Sequence, residues 1–365
     1  MHRRTLLGGG LAALALARSG LSLAAEPAAL VSVAQSPWLT NGVTLTPDGA
    51  MFINFPRFRG HEHSPSLARV VAGKPLPFPG NEWNRWRPGD SGQNRLVNVN
   101  AVHCFGDSLI WAVDQGAPQG EKAPPGAAKL VAFDAQSGAV RKLIRFGSDV
   151  MPAGGALNDL RMYQDLIVIT DSGLGGIILH DLETGYQMRR LSQAAELRKP
   201  EGAQQKGFHG RILQDGAGNG PAVHSDMLEI SPDGEWLYVT TPTGPLWRIK
   251  TAALLNKSLD DSALRQQLEK VAAIPSVGGT AIDAQGHILL ANSEARSVDL
   301  LLPDGRRRTL VQDARLNTPD ALFIHNGYLY IPAPQIEDLK AHAGGTEKTR
   351  APWHIWRYRL PAPLA

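Results

Sequence analysis

Cysteine is almost absent from this 365-residue chain, in which Cys104 is the single example. One thiol excludes an intramolecular disulfide, so the fold must be stabilised without one. Cys104 takes the apolar position that Leu45 and Ile230 occupy in two related segments described below. This placement indicates a buried core thiol rather than a nucleophile.

Long apolar runs are also missing. The strongest, residues 6–17, follows Arg3 and Arg4 and is too short and glycine-rich to span a bilayer. Small residues before Ala25 supply a cleavage site, so we predict that residues 1–25 are an export signal cut after Ala24 or Ala25. The paired arginines favour the twin-arginine route over the general secretory route. We therefore expect a periplasmic or secreted protein.

Basic blocks are the third absence. The chain carries a formal charge of +3, and Arg3, Arg4 and Arg18 leave with the signal, so the mature protein is near neutral. Nothing basic enough remains to favour a nucleic acid or an anionic membrane as the partner. A small molecule is the expected partner, and the oligomeric state stays open.

What the chain does contain is a repeated hairpin, clearest at residues 224–240. Leu228 and Ile230 alternate with polar residues, a Pro-Asp-Gly turn follows, and Trp236 and Tyr238 resume the alternation. This pattern predicts two antiparallel strands joined by a tight turn. The same register recurs in five other segments: residues 41–54, 100–114, 158–171, 278–292 and 320–333.

Six copies at intervals of roughly 40 to 70 residues predict an all-β fold, a six-bladed β-propeller in which each copy forms the two innermost strands. We expect residues 26–365 to form this single domain. Val31 and Val33 are predicted to add a strand to the last blade. Leucines at helical spacing predict a short helical insertion near residues 251–271.

The start of each innermost strand is the candidate site, because such positions face the central channel. Aligning the copies places six residues at one end of it: Asn41, Asn100, Asn158, Asp226, Gly278 and Asp320. A polar mouth on a pocket is the usual binding site. The alternative is that these Asn and Asp side chains only cap strands and bond nearby backbone.

Two carboxylates and three amides suit a small cation or amine, over which a ring such as Trp83 or Trp86 could sit. Asp226 or Asp320 could act as a base if burial and mutual repulsion raised one pKa. His224, in the loop before Asp226, is the other candidate base. Residues 61–63, a His-Glu-His triplet in a loop, lack a third ligand, so no metal is predicted there.

One further set of segments extends over nearly the whole mature chain: residues 93–100, 109–116, 157–159, 169–172 with 175–178, 186–191, 226–242, 246–251, 318–320 and 352–356. In these segments the chain resembles the major royal jelly and insect yellow proteins and their bacterial relatives. The resemblance implies a six-bladed propeller. It also implies binding of amine-bearing aromatic compounds, or a tautomerase activity of the dopachrome-converting kind.

A more distant resemblance is to the senescence-marker and gluconolactonase propellers. Their metal-binding glutamate and asparagine positions correspond to Asn41, Asn158 and Asp226, and their aspartate position corresponds to Gly278. Two carboxylates are lost and one is gained, which counts against a hard cation such as Ca²⁺. We therefore expect no cofactor. The principal hypothesis is a ligand-binding or tautomerase-like propeller, and the alternatives are a metal-dependent lactonase or esterase and an interaction scaffold without chemistry.

Overall fold

The computed structural model describes residues 29–362 and 364. The export signal predicted at residues 1–25 lies outside this range, so its cleavage stays a prediction. Residues 29–362 contain 24 strands in six four-stranded antiparallel sheets. This is the six-bladed β-propeller that the repeats predict. Neither of the two α-helices in this range has the length and apolar character that crossing a bilayer requires.

The first half of the chain forms three blades after an initial strand. Strand β1 (Val31–Ser36) comes first. Blade 1 contains β2 (Gly42–Leu45), β3 (Met51–Asn54), β4 (Leu67–Val71) and β5 (Lys74–Pro77). Blade 2 contains β6 (Val99–His103), β7 (Leu109–Asp114), β8 (Lys129–Asp134) and β9 (Val140–Arg145). Blade 3 contains β10 (Leu157–Tyr163), β11 (Leu166–Asp171), β12 (Ile177–Asp181) and β13 (Gln187–Arg190).

The second half forms the other three blades and closes the ring. Blade 4 contains β14 (Leu228–Ile230), β15 (Trp236–Val239), β16 (Leu246–Lys250) and β17 (Glu269–Ala272). Helices α1 (Thr251–Leu255) and α2 (Asp261–Arg265) lie between β16 and β17, as predicted. Blade 5 contains β18 (Val277–Ile282), β19 (Ile288–Asn292), β20 (Ser297–Leu301) and β21 (Arg307–Gln312). Blade 6 contains β22 (Phe323–His325), β23 (Tyr328–Pro332) and β24 (Trp353–Arg359).

Strand β1 supplies the fourth strand of blade 6 by pairing with β24. An early segment thus joins the last blade, as Val31 and Val33 predict, and this pairing closes the ring of blades.

Tight turns join the two inner strands of each blade at the end away from the mouth. In blade 4 the Ser231 hydroxyl donates to the Asp233 carboxylate over 2.5 Å, and Gly234 has a φ of 75°. In blade 1 Thr46 bonds Asp48 in the same way, and Gly49 has a φ of 87°. The Asp-Gly pair forms the turn because the carboxylate accepts nearby donors and glycine tolerates a positive φ.

The core consists of apolar layers between neighbouring blades. Alternation along β7 shows how they form, because successive side chains point to opposite faces of a strand. Ile110 packs in the layer shared with blade 1, and Trp111 packs in the layer shared with blade 3. Cys104 is buried beside Ile110, and its Sγ donates to the Asp107 carbonyl over 3.1 Å. Burial raises the pKa of the Cys104 thiol.

Candidate functional site

The six strand starts meet around one cavity of about 680 Å³ at the mouth of the channel. Its lining includes all six aligned positions: Asn41, Asn100, Asn158, Asp226, Gly278 and Asp320. Asn54, which ends β3, pairs with Gly42 at the start of β2, so the segment after β3 also begins at the mouth. The long connections 55–66, 115–128, 191–227 and 333–352 therefore lie at this end, and each contributes to the cavity wall.

β-Bulges determine the direction of several side chains that line the cavity. The pairing of β6 with β7 shifts between Val99 and Ala101, which leaves Asn100 unpaired. The pairing of β10 with β11 shifts between Leu157 and Leu160 and leaves two polar residues, Asn158 and Asp159, at the bulge. A bulge turns a side chain away from the regular alternation. Both residues of the blade 3 bulge line the cavity.

The three asparagines form a hydrogen-bonded chain from blade 1 to blade 3. Asn41 Nδ2 donates to the Asn100 carbonyl over 3.3 Å, and Asn100 Nδ2 donates to Asn158 Oδ1 over 3.0 Å. Asn158 lines the same cavity as Asp226 of blade 4. The capping alternative is thus right in part, because two of these amides bond backbone carbonyls of the next blade. Asn41 is 8% exposed, and its Oδ1 accepts no hydrogen bond from the described residues.

The two aspartates complete the ring, and the Asp320 carboxylate accepts from the Ala321 amide over 2.8 Å. Burial, together with the negative charge of Asp159, raises the pKa of Asp226 to about 8, although the neighbouring Asn158 amide opposes this shift. Burial and the Asp226 charge raise the pKa of Asp320 well above its usual range. Neither carboxylate forms an ion pair with any residue of the described chain. Two half-buried carboxyls without a counterion favour a cationic occupant.

A network of charged side chains lies next to this ring in the channel. Asp159 Oδ1 is 2.6 Å from His103 Nε2, and Asp159 Oδ2 accepts from Arg161 over 2.8 Å. Arg161 also forms a two-point contact with Glu229, whose Oε1 accepts from the Thr280 hydroxyl over 2.7 Å. Burial raises the pKa of Asp159, but Arg161 and His103 outweigh it and bring that pKa to about 2. Asp159 therefore stays ionised and repels charge on Asp226.

Three of the predicted site residues do not line the cavity. His224 Nδ1 accepts from the Lys199 amide over 3.1 Å, and the cavity lining passes from Val223 to Asp226 without it. Trp83 packs edge-on against Phe133, with ring centroids 5.8 Å apart, in the layer between blades 1 and 2. Trp86 lies beside the Arg57 guanidinium, and its Nε1 donates to the Asp90 carbonyl over 3.2 Å. Neither tryptophan is placed to cover a cation at the aspartates.

The cavity also contains a histidine that sequence reasoning missed. His342, in the connection between β23 and β24, lines the cavity, and its Nδ1 lies 3.1 Å from the Ile336 carbonyl oxygen. A carbonyl only accepts, so Nδ1 carries the hydrogen and Nε2 is free to accept a proton in the neutral ring. Burial lowers the pKa of His342, although the bond to Ile336 opposes this shift. No periodicity or motif marks His342 in the sequence.

The His-Glu-His triplet is divided by the fold. His61 Nε2 lies 3.7 Å from Glu347 and packs edge-on against Trp353, whereas Glu62 lines the cavity. Among the described residues, no group of three or more His, Cys, Asp or Glu side chains is arranged to hold a metal. Any cation at the mouth would therefore depend on amide oxygens as well as on carboxylates.

Solved propellers share this fold over nearly its whole length. A gluconolactonase from Xanthomonas campestris is 14% identical, with 92% of this chain and 90% of that chain covered and a TM-score of 0.53. Regucalcin from Agrobacterium tumefaciens, described as a calcium-binding protein, is 16% identical, with coverages of 90% and 96% and a TM-score of 0.52. A luciferin-regenerating enzyme is 9% identical, with coverages of 92% and 98% and a TM-score of 0.54. Identities this low show the fold alone.

No protein-family profile matches the chain, and no curated protein matches it. The resemblance to the royal jelly and yellow proteins therefore stays a prediction. The structural likeness supports the six-bladed propeller fold that both resemblances imply.

Proposed function

We propose that this protein is a cation-dependent hydrolase of small cyclic esters, with its site at the channel mouth. The observation that carries the proposal is the convergence of Asp226 and Asp320 on one cavity without a basic partner in the described chain. The sequence comparison alone counted against a cation, because Gly278 stands where the gluconolactonases have aspartate. In the fold Asp320 comes close enough to Asp226 for the charge of one to raise the pKa of the other, so it supplies the second carboxylate.

The donor set fits a hard divalent cation such as Ca²⁺. Such ions take several oxygen ligands from carboxylates, amides and backbone carbonyls. Asp226 and Asp320 would provide the charge, and the free Oδ1 of Asn41 is an amide oxygen in the same cavity wall. A cation bound there would act as a Lewis acid toward the carbonyl oxygen of an ester.

His342 is the proposed general base. Its Nε2 would take a proton from a water molecule as that water attacks the ester carbonyl carbon. The ring C–O bond then breaks, and the imidazolium returns the proton to the departing ring oxygen, which yields a hydroxy acid. The hydrogen bond from Nδ1 to the Ile336 carbonyl fixes the tautomer that this sequence of proton transfers needs.

Binding of a cationic amine, the principal hypothesis from the sequence, is the second candidate. The same unpaired aspartates would attract an ammonium group. However, Trp83 and Trp86 lie outside the cavity lining, so the aromatic contacts expected for such a ligand are missing. The cation-dependent hydrolase therefore accounts for more of the site.

Calorimetric titration of the chelator-treated protein with Ca²⁺, followed by a lactone hydrolysis assay, tests the proposal. We expect one cation per chain and hydrolysis that stops on chelation. Asp226→Asn and Asp320→Asn should each abolish Ca²⁺ binding and lactone hydrolysis. Asp233→Asn, in the turn at the far end of blade 4, should preserve both properties.

Failure to bind a divalent cation would contradict the proposal. If the protein instead bound a cationic amine, and Asp226→Asn weakened that binding by about 1.5 to 3 kcal/mol, the second candidate would replace it.

A further inference from the structure

A small apolar cluster at the mouth is separate from the layers between the blades. Leu39, Ile336, Leu339 and Trp353 are buried in it, and Phe58 packs against it partly exposed. Its members come from the segment before β2, the connection after β3, the connection between β23 and β24, and the first residue of β24. The cluster therefore lies where blade 6 meets blade 1.

One face of this cluster belongs to the cavity wall. Phe58, Ile336 and Leu339 all line the cavity, as do Asp320 at the start of blade 6 and Asn41 at the start of blade 1. The apolar wall and two members of the polar ring, Asn41 and Asp320, are thus contributed by the same two blades. A cavity of about 680 Å³ holds a ligand of considerable size, and its two kinds of surface call for a ligand with one polar and one apolar part.

The apolar wall is held in place by a buried carboxylate, Glu337, between Ile336 and Leu339. Glu337 is 1% exposed and accepts from the Phe208 amide over 2.7 Å and from the Arg296 guanidinium over 2.6 Å. A Cβ on Gly207 would come within 2.0 Å of its Oε2, so glycine is required for this approach. Because these contacts order the wall before a ligand binds, less conformational entropy is lost when an apolar group packs against it.

Building on the proposed function, we infer that the substrate is amphipathic: a cyclic ester with an apolar substituent that lies against Phe58, Ile336 and Leu339. The ester group would occupy the ring of asparagines and aspartates. A sugar lactone, which is polar on all sides, would leave the apolar wall uncovered.

A series of γ-lactones with alkyl chains of increasing length tests this inference. We expect kcat/KM to rise about fourfold for each of the first methylene groups, as the transfer free energy of a buried CH₂ predicts. Equal rates along the series, or faster hydrolysis of gluconolactone than of the longest alkyl lactone, would overturn the inference and leave the proposed function standing.

Phe58→Ala should flatten this dependence on chain length, so that kcat/KM falls more for the long-chain lactones than for the short ones. Phe146 offers a matched control, because it is also partly exposed but packs on the layer between blades 2 and 3 and does not line the cavity. Phe146→Ala should keep the full dependence. An unchanged dependence on chain length in Phe58→Ala, with the fold intact by circular dichroism, would show that the alkyl chain does not bind against the apolar wall.

Binding of the matching alkyl lactams, which resist hydrolysis, separates this inference from the proposed function. One outcome would be that no lactone is hydrolysed but lactam affinity still rises with chain length and falls in Phe58→Ala. That result would support an amphipathic ligand and refute the hydrolase activity. Lactam affinity that is absent or independent of chain length would overturn the inference whatever the activity.

Discussion

Gly278, at the strand start of blade 5, lies directly against Pro319, the residue before Asp320 in blade 6. A Cβ built on Gly278 would come within 2.3 Å of the Pro319 carbonyl oxygen and 3.3 Å from the Asp320 Cα. The strand start of blade 5 therefore has no side chain because blade 6 occupies the space. Gly278 supplies no carboxylate of its own, but its lack of a side chain leaves room for Asp320 to approach the mouth.

Gly278→Ala should displace Asp320 and weaken the cation site. Forcing a methyl group into so tight a contact typically costs about 1–3 kcal/mol of stability. We expect a lower unfolding temperature together with a loss of Ca²⁺ affinity, measured by calorimetry. Gly80→Ala is the control, because nothing lies within 4 Å of a Cβ at that position. Full Ca²⁺ affinity in Gly278→Ala would mean that Asp320 is not a ligand.

The architecture was predictable because its signals are local. Alternating apolar residues and Asp-Gly turns, such as those at Asp48 and Asp233, depend on neighbours a few positions away in the chain. The six strand starts followed from the same register, since a propeller brings equivalent positions to one end of its channel. The five predicted polar residues of the ring do line one cavity.

The rest of the site depends on contacts distant in sequence. Nothing local to Asp159 shows that a bulge leaves it at the channel wall beside Asn158. Nothing near His342 shows that its connection folds over the mouth, because Glu337 secures that segment through Arg296 of another blade. Trp83 lies in an aromatic segment that resembles a binding loop, but it packs partly buried against Phe133 of the core.

The contribution of Asp226 and Asp320 to the stability of the cation-free protein should fall as the pH rises from about 4 to about 8. The pKa of Asp226 is about 8 in the folded chain, and that of Asp320 is also raised, against an ordinary value of 3.8. Both carboxyls therefore bind their protons more tightly in the folded than in the unfolded chain. The resulting stabilisation is complete below 3.8 and is lost as the pH rises through the folded pKa. Urea unfolding in the presence of a chelator measures it.

Asp226→Asn should reduce this slope, because the amide does not titrate. Saturating Ca²⁺ should also reduce it, because a bound cation stabilises the ionised carboxylates. Identical slopes for the wild-type protein and Asp226→Asn between about pH 5 and pH 8 would show that Asp226 does not hold a proton in this range.

The two histidines near the mouth should differ in their importance for catalysis. His342→Gln retains a donor for the Ile336 carbonyl but removes the base, so kcat should fall by about 10²- to 10⁴-fold with little change in KM. His224→Gln should leave kcat unchanged, because His224 does not line the cavity. Burial lowers the pKa of both side chains, which makes them a matched pair. Equal losses in the two variants would exclude His342 as the base.

Arg161 should be the costliest side chain to remove from the channel. It donates to Asp159 over 2.8 Å and to both oxygens of Glu229 over 2.7 and 2.8 Å, and its side chain is only 14% exposed. Arg161→Leu would leave two buried carboxylates without their shared partner, a loss of about 3–5 kcal/mol in the free energy of unfolding. Arg161→Lys should recover only part of this, because an ammonium group lacks the planar fork that contacts two carboxylates at once.

The surface pair of Arg248 and Glu269 provides the comparison. Their atoms are as close, at 2.7 Å, but the side chains are 36% and 52% exposed. Exposed ion pairs contribute about 0–1 kcal/mol, so Arg248→Leu should change the free energy of unfolding little. Adding Glu229→Gln to Arg161→Leu should restore part of the loss, because it removes one uncompensated charge. If Arg161→Leu cost no more than Arg248→Leu, water would be solvating the channel carboxylates, and Asp159 could not raise the pKa of Asp226 as this structure requires.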